Sequence, residues 1–282
     1  MPKLRILILI FIVVFAFIGA VLVFRHPIKK KIVNKIEKNI PEKILSNPTV
    51  LPTKSVEDVN KLYGPCFKIS VLMYHHIEED VDAKAKKQSS LNVSPDFFRK
   101  HLEYLRDKGY RVIEPKDLIA ILNGSQKIGG KLAMITLDDA YSDNYSKMYP
   151  ILKEFGYKAT IFTPTGLVNN PDYLSLDQMK EMKDSVYFAN HTWSHHSSAG
   201  TKEVLDKEIG TADLQLSENG FNPEKIFAYP YGNPSLEAIN VLKEKKYNIA
   251  FTTKHGNILC RGKALELSRI RVGNAPLSSY GL

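Results

Sequence analysis

From residue 67 onward the chain alternates short apolar runs with amphipathic segments, and this alternation restricts the fold more than any other feature. The run "KLAMITLDDA" (131–140) is apolar on both faces of an extended backbone, as a parallel strand covered by helices must be. The segments "KISVLMYHH", "ATIFTPT", "VYFANHT", "KIFAYPYG" and "NIAFTT" read as further strands, with "RVIEP" and "LSRIRV" as short ones. Helices are expected between them. In "SPDFFRKHLEYLRDKGY", Ser94 is suited to the N-cap and Pro95 to the first turn. Phe97, Phe98, Leu102 and Leu105 recur at helical spacing, and Gly109 supplies the stop. Strand–helix alternation implies right-handed crossovers and a parallel α/β sheet. With seven or eight strands in view, a closed, distorted (β/α)7-8 barrel is favoured over an open doubly wound sheet. No internal repeat and no Gly-rich phosphate loop is present, which argues against a nucleotide enzyme.

The 282 residues divide unevenly in charge. Residues 1–43 hold nine Lys/Arg against Glu37 and Glu42, which accounts for most of the net charge of +9. The remainder is near neutral, so a nucleic-acid-binding domain is not expected. Ile6 to Phe24 is an unbroken run of 19 apolar or small residues, close to the length that crosses a bilayer core as a helix. A transmembrane anchor over 1–24 is expected. A cleaved signal peptide is the alternative, although "IGA" (18–20) is a weak cleavage site. Residues 25–66, basic and then rich in Pro, Asn, Ser and Thr, read as a stem with little fixed structure, and 67–282 as the catalytic domain. Six basic residues from Arg25 to Lys38, against two ahead of the apolar run, would by the positive-inside rule place the following chain in the cytoplasm. The chemistry below suits an outer polymer, so an extracytoplasmic domain on a single-pass membrane anchor is expected nonetheless. Stem cations are expected to be solvated near the membrane or to touch anionic lipid or wall polymer. Cys66 and Cys260 lack metal-type spacing. A disulfide is possible between them, and two ordinary thiols are the favoured reading.

In a parallel α/β fold the active site lies at the C-terminal ends of the strands. Polar residues gather at four such ends: Tyr74-His75-His76, Asp138-Asp139, His191, and Tyr229-Pro230-Tyr231. In "HTWSHH", His191 and His195 are four apart, and a helical turn would bring both imidazoles to one side. Two His and one carboxylate make a three-ligand set with open positions, suited to Zn²⁺ or to Fe, Co or Ni. Adjacent carboxylates at a strand end point in different directions, so one can hold a cation while the other acts as general base. The competing reading makes the Asp pair part of a helix cap, a role that Asp143 already fills.

"TLDDAYSDNY", "HTWSHH" and "FAYPYG", in that order, resemble the NodB-homology polysaccharide deacetylases, carbohydrate esterase family 4, over roughly residues 69–272. The resemblance implies a distorted (β/α) barrel and a divalent metal, with removal of N-acetyl groups from amino-sugar polymers of the poly-N-acetylglucosamine or peptidoglycan type. It implies Asp138 as base, Asp139, His191 and His195 as metal ligands, and the backbone N–H of Tyr231 at the oxyanion. Two positions depart from the family pattern: Ala140 stands for the usual Gly, and Ala228 for the Arg that orients the base. Arg269 or Arg271 is the expected substitute. The late Leu-x-His that carries the general acid is missing, and His255 does not fit it. "MYHHI" resembles instead the branch acting on poly-β-1,6-N-acetylglucosamine, which implies His75 as acid, with His76 the second choice.

The missing Arg also raises the alternative of an inactive glycan-binding wall protein. An O-acetyl esterase on xylan-like polymers would use the same site. Trp193 and Tyr141 are able to stack on a sugar, although core packing is the favoured reading for both. His101 is expected at a surface or between helices, and His196 beside the ligands or idle.

Overall fold

The structure is a computed structural model, which describes residues 56–127 and 129–282. The expected anchor and all of the expected stem before residue 56 lie outside the described residues. Among the described residues no helix is long and apolar enough to cross a membrane.

Among the described residues, nine strands form one sheet. In chain order they are β1 (Cys66–Tyr74), β2 (Tyr110–Val112), β3 (Lys131–Asp138), β4 (Ala159–Thr163), β5 (Val186–Asn190), β6 (Ile226–Ala228), β7 (Ile249–His255), β8 (Ile258–Cys260) and β9 (Leu267–Arg271). The helices are α1 (Val56–Tyr63), α2 (Asp80–Ala85), α3 (Pro95–Asp107), α4 (Pro115–Asn123), α5 (Tyr149–Glu154), α6 (Leu176–Met182), α7 (Lys202–Glu218) and α8 (Leu236–Glu244). α1 falls within the stretch expected to be unstructured stem. Its first turn carries Glu57 and Asp58 and its last turn Lys61, charges placed to suit the helix dipole.

Strand pairing closes on itself. β1 lies parallel to β3 along one edge and to β9 along the other, and β3, β4, β5, β6, β7 and β9 follow one another in parallel pairs. Seven parallel strands therefore make a ring, with β2 added beside the start of β3 and β8 antiparallel on β1. Alternation along the strands sorts their side chains. Val71, Met134, Phe162, Ala189, Ala228 and Phe251 form one cluster drawn from six strands of the ring. The intervening Leu72, Ile135, Leu137, Ile161 and Phe188 pack instead against the helices. On the far side, α7 and α8 cover Phe227 and Ala250.

Local signals hold where expected. Ser94 Oγ accepts the Phe97 N–H at the start of α3, an N-cap whose loss costs about 1 kcal/mol. The helix expected after Asp143 begins instead with a π turn over Asn144–Met148 before α5.

The cysteines form a disulfide, Cys66–Cys260, rather than two thiols. β8 runs back along β1 and pairs Cys66 with Cys260 directly, a contact between residues 194 positions apart that no local spacing announces.

Candidate active site

Asp138 closes β3 inside the ring, and its carboxylate is gripped by Arg269 of β9. Nη1 donates to Oδ1 and Nη2 to Oδ2, both at 2.7 Å, while Nε donates to the Thr252 carbonyl at 3.0 Å. Arg269 is fully buried. The guanidinium that the motif lacks at Ala228 thus arrives from the last strand. Arg271, the other candidate, lies at the exposed rim and donates to the Ser90 carbonyl. Burial pushes the Asp138 carboxyl up, but the charge and hydrogen bonds of Arg269 outweigh it, and the net pKa is below the ordinary carboxylate value.

Directly after it the chain turns left-handed at Asp139 (φ 75°) and Ala140 (φ 58°). Ala140 adopts a conformation that glycine would take without cost, which explains the family preference at this position. The Leu174 N–H to the Ala140 carbonyl (2.9 Å) and the Ser142 N–H to the Asp172 carbonyl (2.8 Å) brace the turn. Asp139 is thereby aimed away from Arg269 and toward the histidines. Its Oδ1 lies 3.4 Å from His191 Nε2 and 3.1 Å from His195 Nε2.

The histidines do not sit on a helical turn, contrary to the spacing argument. Residues 191–196 form an irregular loop with Thr192 at φ 66° and His195 at φ 59°. Side chains take the backbone donors that a helix would have satisfied. Asn190 Oδ1 accepts the Thr192 N–H at 2.8 Å, and the buried Glu208 of α7 accepts both the N–H and the hydroxyl of Ser194, at 2.9 and 2.8 Å. The rings nonetheless converge, with centroids 5.0 Å apart. His191 Nδ1 donates to the Ala228 carbonyl at 2.7 Å, which leaves its Nε2 lone pair facing Asp139.

These three residues fit a cation. One ligand atom from each lies within 4.8 Å of the others, and Asp139 Oδ1 is buried with no hydrogen bond. An oxygen and two nitrogens crowd one point, a set that wants positive charge between them. The electrostatics agree. Burial pushes Asp139 up, yet its pairing with His191 and His195 holds it well below the ordinary value. Burial lowers His191, yet Asp139 outweighs it and raises the imidazole.

His75 is half-buried at the end of β1 and feels the same charges. Burial lowers its pKa most, the Asp138 and Asp139 carboxylates oppose that, and Arg269 and Arg271 add to it. Asn144 Nδ2 donates to the His75 carbonyl at 2.9 Å. His76 points elsewhere: its Nδ1 meets Asp143 Oδ2 at 2.6 Å and its ring stacks on Tyr141 at 3.7 Å. Asp143 also accepts the Ile77 N–H at 2.7 Å. It therefore anchors the loop behind His75 and does not cap the following helix, where its side chain makes no cap bond. Asp143 and Glu208 are the residues that sequence reasoning missed, and neither carries a local signal for its distant partner.

Tyr231 lies in a left-handed turn (φ 61°) with its ring against the edge of His195, and Gly232 follows, where a Cβ would strike Thr253. Tyr141 stacks between His76 and Tyr173 but is only half-buried and lies outside the hydrophobic core, contrary to the core packing expected of it. Trp193 is not core: it is 37% exposed within the loop that carries His191 and His195. His101 is buried, bonded to the Tyr74 hydroxyl and the Ala275 carbonyl. His196 Nδ1 meets the Ser197 carbonyl, and His255 ends β7 facing solvent. Neither joins the cluster.

Residues 125–250 match the family model described as polysaccharide deacetylase. YxkH of Bacillus subtilis (strain 168), named for polysaccharide deacetylase activity, is 31% identical over 207 residues, which cover 73% of this chain and 71% of that protein. The Streptococcus pyogenes deacetylase PplD, solved in complex with acetate, has 31% identity and a TM-score of 0.68, covering 74% of this chain and 93% of that one. The poly-beta-1,6-N-acetyl-D-glucosamine N-deacetylase of Escherichia coli (strain K12) is 22% identical over 253 residues, 73% of this chain but only 36% of that longer protein. Motif order, site geometry and likeness along most of the chain agree: the protein belongs to the polysaccharide deacetylase family and is a hydrolase of amide bonds.

Proposed function

We propose that the protein performs metal-dependent N-deacetylation of a cell-surface or cell-wall polysaccharide of the poly-N-acetylglucosamine or peptidoglycan type, releasing acetate. The observation that carries this is the split between neighbours: Asp139 turned into two imidazoles, and Asp138 locked to Arg269 beside it. Asp139, His191 and His195 would hold the divalent cation, with Zn²⁺ best matched to the donor set and Co²⁺, Ni²⁺ or Fe²⁺ as substitutes. When bound, such a cation supplies Lewis-acid polarisation and lowers the pKa of water toward neutrality.

The chain's own residues do the rest. Asp138, kept ionised by Arg269, accepts a proton from the water that adds to the acetyl carbonyl carbon. The Tyr231 N–H supports the developing oxyanion. His75 donates a proton to the departing nitrogen as the carbon–nitrogen bond breaks, so the products are acetate and a free amine. An amine anion is too poor a leaving group to depart unprotonated, which is why the mechanism needs an acid at this position. The scaffold is the ring of seven strands, read as a distorted barrel. The same reading puts the domain outside the cytoplasm on an anchor formed by the apolar run 6–24, because its substrate is a polymer outside the membrane.

Purified chain is assayed for metal content and for acetate release from β-1,6- and β-1,4-linked N-acetylglucosamine oligomers, peptidoglycan and acetylated xylan. Asp138→Asn should keep its metal and lose acetate release, and retention of most activity removes Asp138 from the base role. Asp139→Ala and His191→Ala should lose metal. Turnover of xylan alone replaces the amide reading with an ester one.

A further inference from the structure

Asp143 stands where a helix cap is expected, yet its side chain makes no cap bond. Both oxygens turn back toward the end of β1. Oδ2 accepts the His76 Nδ1–H at 2.6 Å, and Oδ1 accepts the Ile77 N–H at 2.7 Å and the Asn144 amide at 3.0 Å. Asn144 Nδ2 also donates to the His75 carbonyl at 2.9 Å. Two neighbouring residues thus hold three consecutive ones, 75 to 77. The π turn over Asn144–Met148 begins at this clamp, and such turns interrupt regular helix frequently at functional sites.

His76 is the centre of the clamp. It is 2% exposed, and its Nε2 has no hydrogen-bond partner among the described residues. The ring is therefore fixed by the Asp143 carboxylate at its edge and by the Tyr141 ring stacked on its face. Its backbone is tied as well: the His76 N–H donates to the Leu91 carbonyl at 3.2 Å, and the Val93 N–H donates to the His76 carbonyl at 3.1 Å. Side chains alternate between faces in extended backbone, so pinning His76 on one side aims His75 to the other. His75 lies within electrostatic reach of Asp138 and Asp139. Burying a carboxylate beside an imidazole costs desolvation. A serine would cap the helix without that cost, so the pair answers to the strand end that it faces rather than to the helix that it begins.

We propose that Asp143 is a positioning residue for the acid: by holding His76 and Ile77 it fixes the backbone from which His75 reaches the departing nitrogen. The inference rests on the N-deacetylation reading and on His75 as its acid. Segment 138–144 then carries the base, one metal ligand and the clamp behind the acid, so a single stretch of chain sets the spacing between proton acceptor and proton donor.

Leaving-group chemistry separates this role from general support of the fold. A departing amine needs the proton from His75 as the carbon–nitrogen bond breaks, whereas 4-nitrophenolate leaves with the electron pair and without a proton. Metal-loaded full-length chain is assayed on an N-acetylglucosamine pentamer and on 4-nitrophenyl acetate, with metal content and Tm measured for each variant. Asp143→Ala should lower kcat on the pentamer about 100-fold, the effect of a misplacement of about 1 Å, with KM little changed. The ester should lose far less, so the ratio of amide to ester turnover drops by about tenfold or more. Asp143→Asn should recover most of that ratio, because its amide oxygen still accepts the Ile77 N–H and its nitrogen can donate to His76. Asn144→Ala, which frees the His75 carbonyl, should lower the same ratio by a smaller factor and carries the test if Asp143→Ala folds poorly. Adding Asp143→Ala to His75→Ala should lower pentamer turnover no further. Equal loss on both substrates, a ratio that does not move, or additive loss in the double variant overturns the proposal and leaves the reaction standing. A parent chain that turns over the ester and no N-acetylated oligomer sinks the reaction, and the proposal with it.

Discussion

Arg269→Met tests the reading of the site most directly. The substitution keeps an unbranched apolar side chain in a fully buried position and removes four hydrogen bonds at once: two of 2.7 Å to Asp138, one of 3.0 Å to the Thr252 carbonyl and one of 3.3 Å to the Thr136 hydroxyl. Asp138 has almost no solvent to turn to, being 3% exposed. Leaving one member of a buried ion pair alone costs about 3–5 kcal/mol. In a domain of this size each kcal/mol moves Tm by about 2–4 °C, so the expected fall is about 6–20 °C. Asp138→Asn alone leaves the guanidinium unpaired and should also destabilise. The double variant should recover part of the loss, because neither charge is then stranded, with a coupling of about 2–3 kcal/mol. Urea denaturation of the four chains measures this, and acetate release is followed in parallel. Activity of Arg269→Met should fall while its metal content holds, since Arg269 touches none of Asp139, His191 and His195. A coupling below about 0.5 kcal/mol, or an Arg269→Met enzyme as active as its parent, would show that Asp138 does not depend on this guanidinium.

Replacing Cys66 and Cys260 by serine should cost about 2–5 kcal/mol in urea unfolding, and native chain should show no free thiol by titration. Burial lowers the His101 pKa, so the unfolded chain takes up a proton that the folded one rejects. Its contribution is whole above the unfolded value of about 6.5 and is lost as pH falls through that value toward the lower folded one. The slope of stability against pH from 7 to 5 should therefore flatten in His101→Gln, and an unchanged slope would refute the assignment. Glu208→Ala should weaken cation binding about 10–100-fold in equilibrium dialysis by freeing the Ser194 loop, with the three ligand side chains intact.

Much of the architecture is readable in residue type. A strand apolar on both faces has nowhere to go but the middle of a layered fold, and Asp and His at strand ends stand out because the rest of those runs is hydrocarbon. What stayed hidden depends on depth and distance. Arg269 and Arg271 share one face of β9 by strand alternation, and only their depth in the ring separates the buried partner of Asp138 from the rim residue bonded to Ser90. Asp143 has the position of a helix cap, yet its oxygens serve His76 and Ile77, 67 and 66 residues earlier. Glu208 belongs to a helix whose sequence says nothing of the loop that it holds. The cysteine pair joins strands that meet only when the sheet is complete. The helical spacing singled out His191 and His195, yet a loop with left-handed residues at Thr192 and His195, not a helix, brings their rings together.

The closed pairing of the strands has a consequence for timing. β1 is the first strand of the ring to be synthesised, and one of its edges finds its partner only when β9 emerges. The carboxylate at the end of β3 meets its guanidinium across 131 positions of chain. A chain that has emerged just past β5 holds His191 and His195 but not yet Arg269, so on the proposed mechanism Asp138 gains its guanidinium, and the site its poised base, only when this late strand docks.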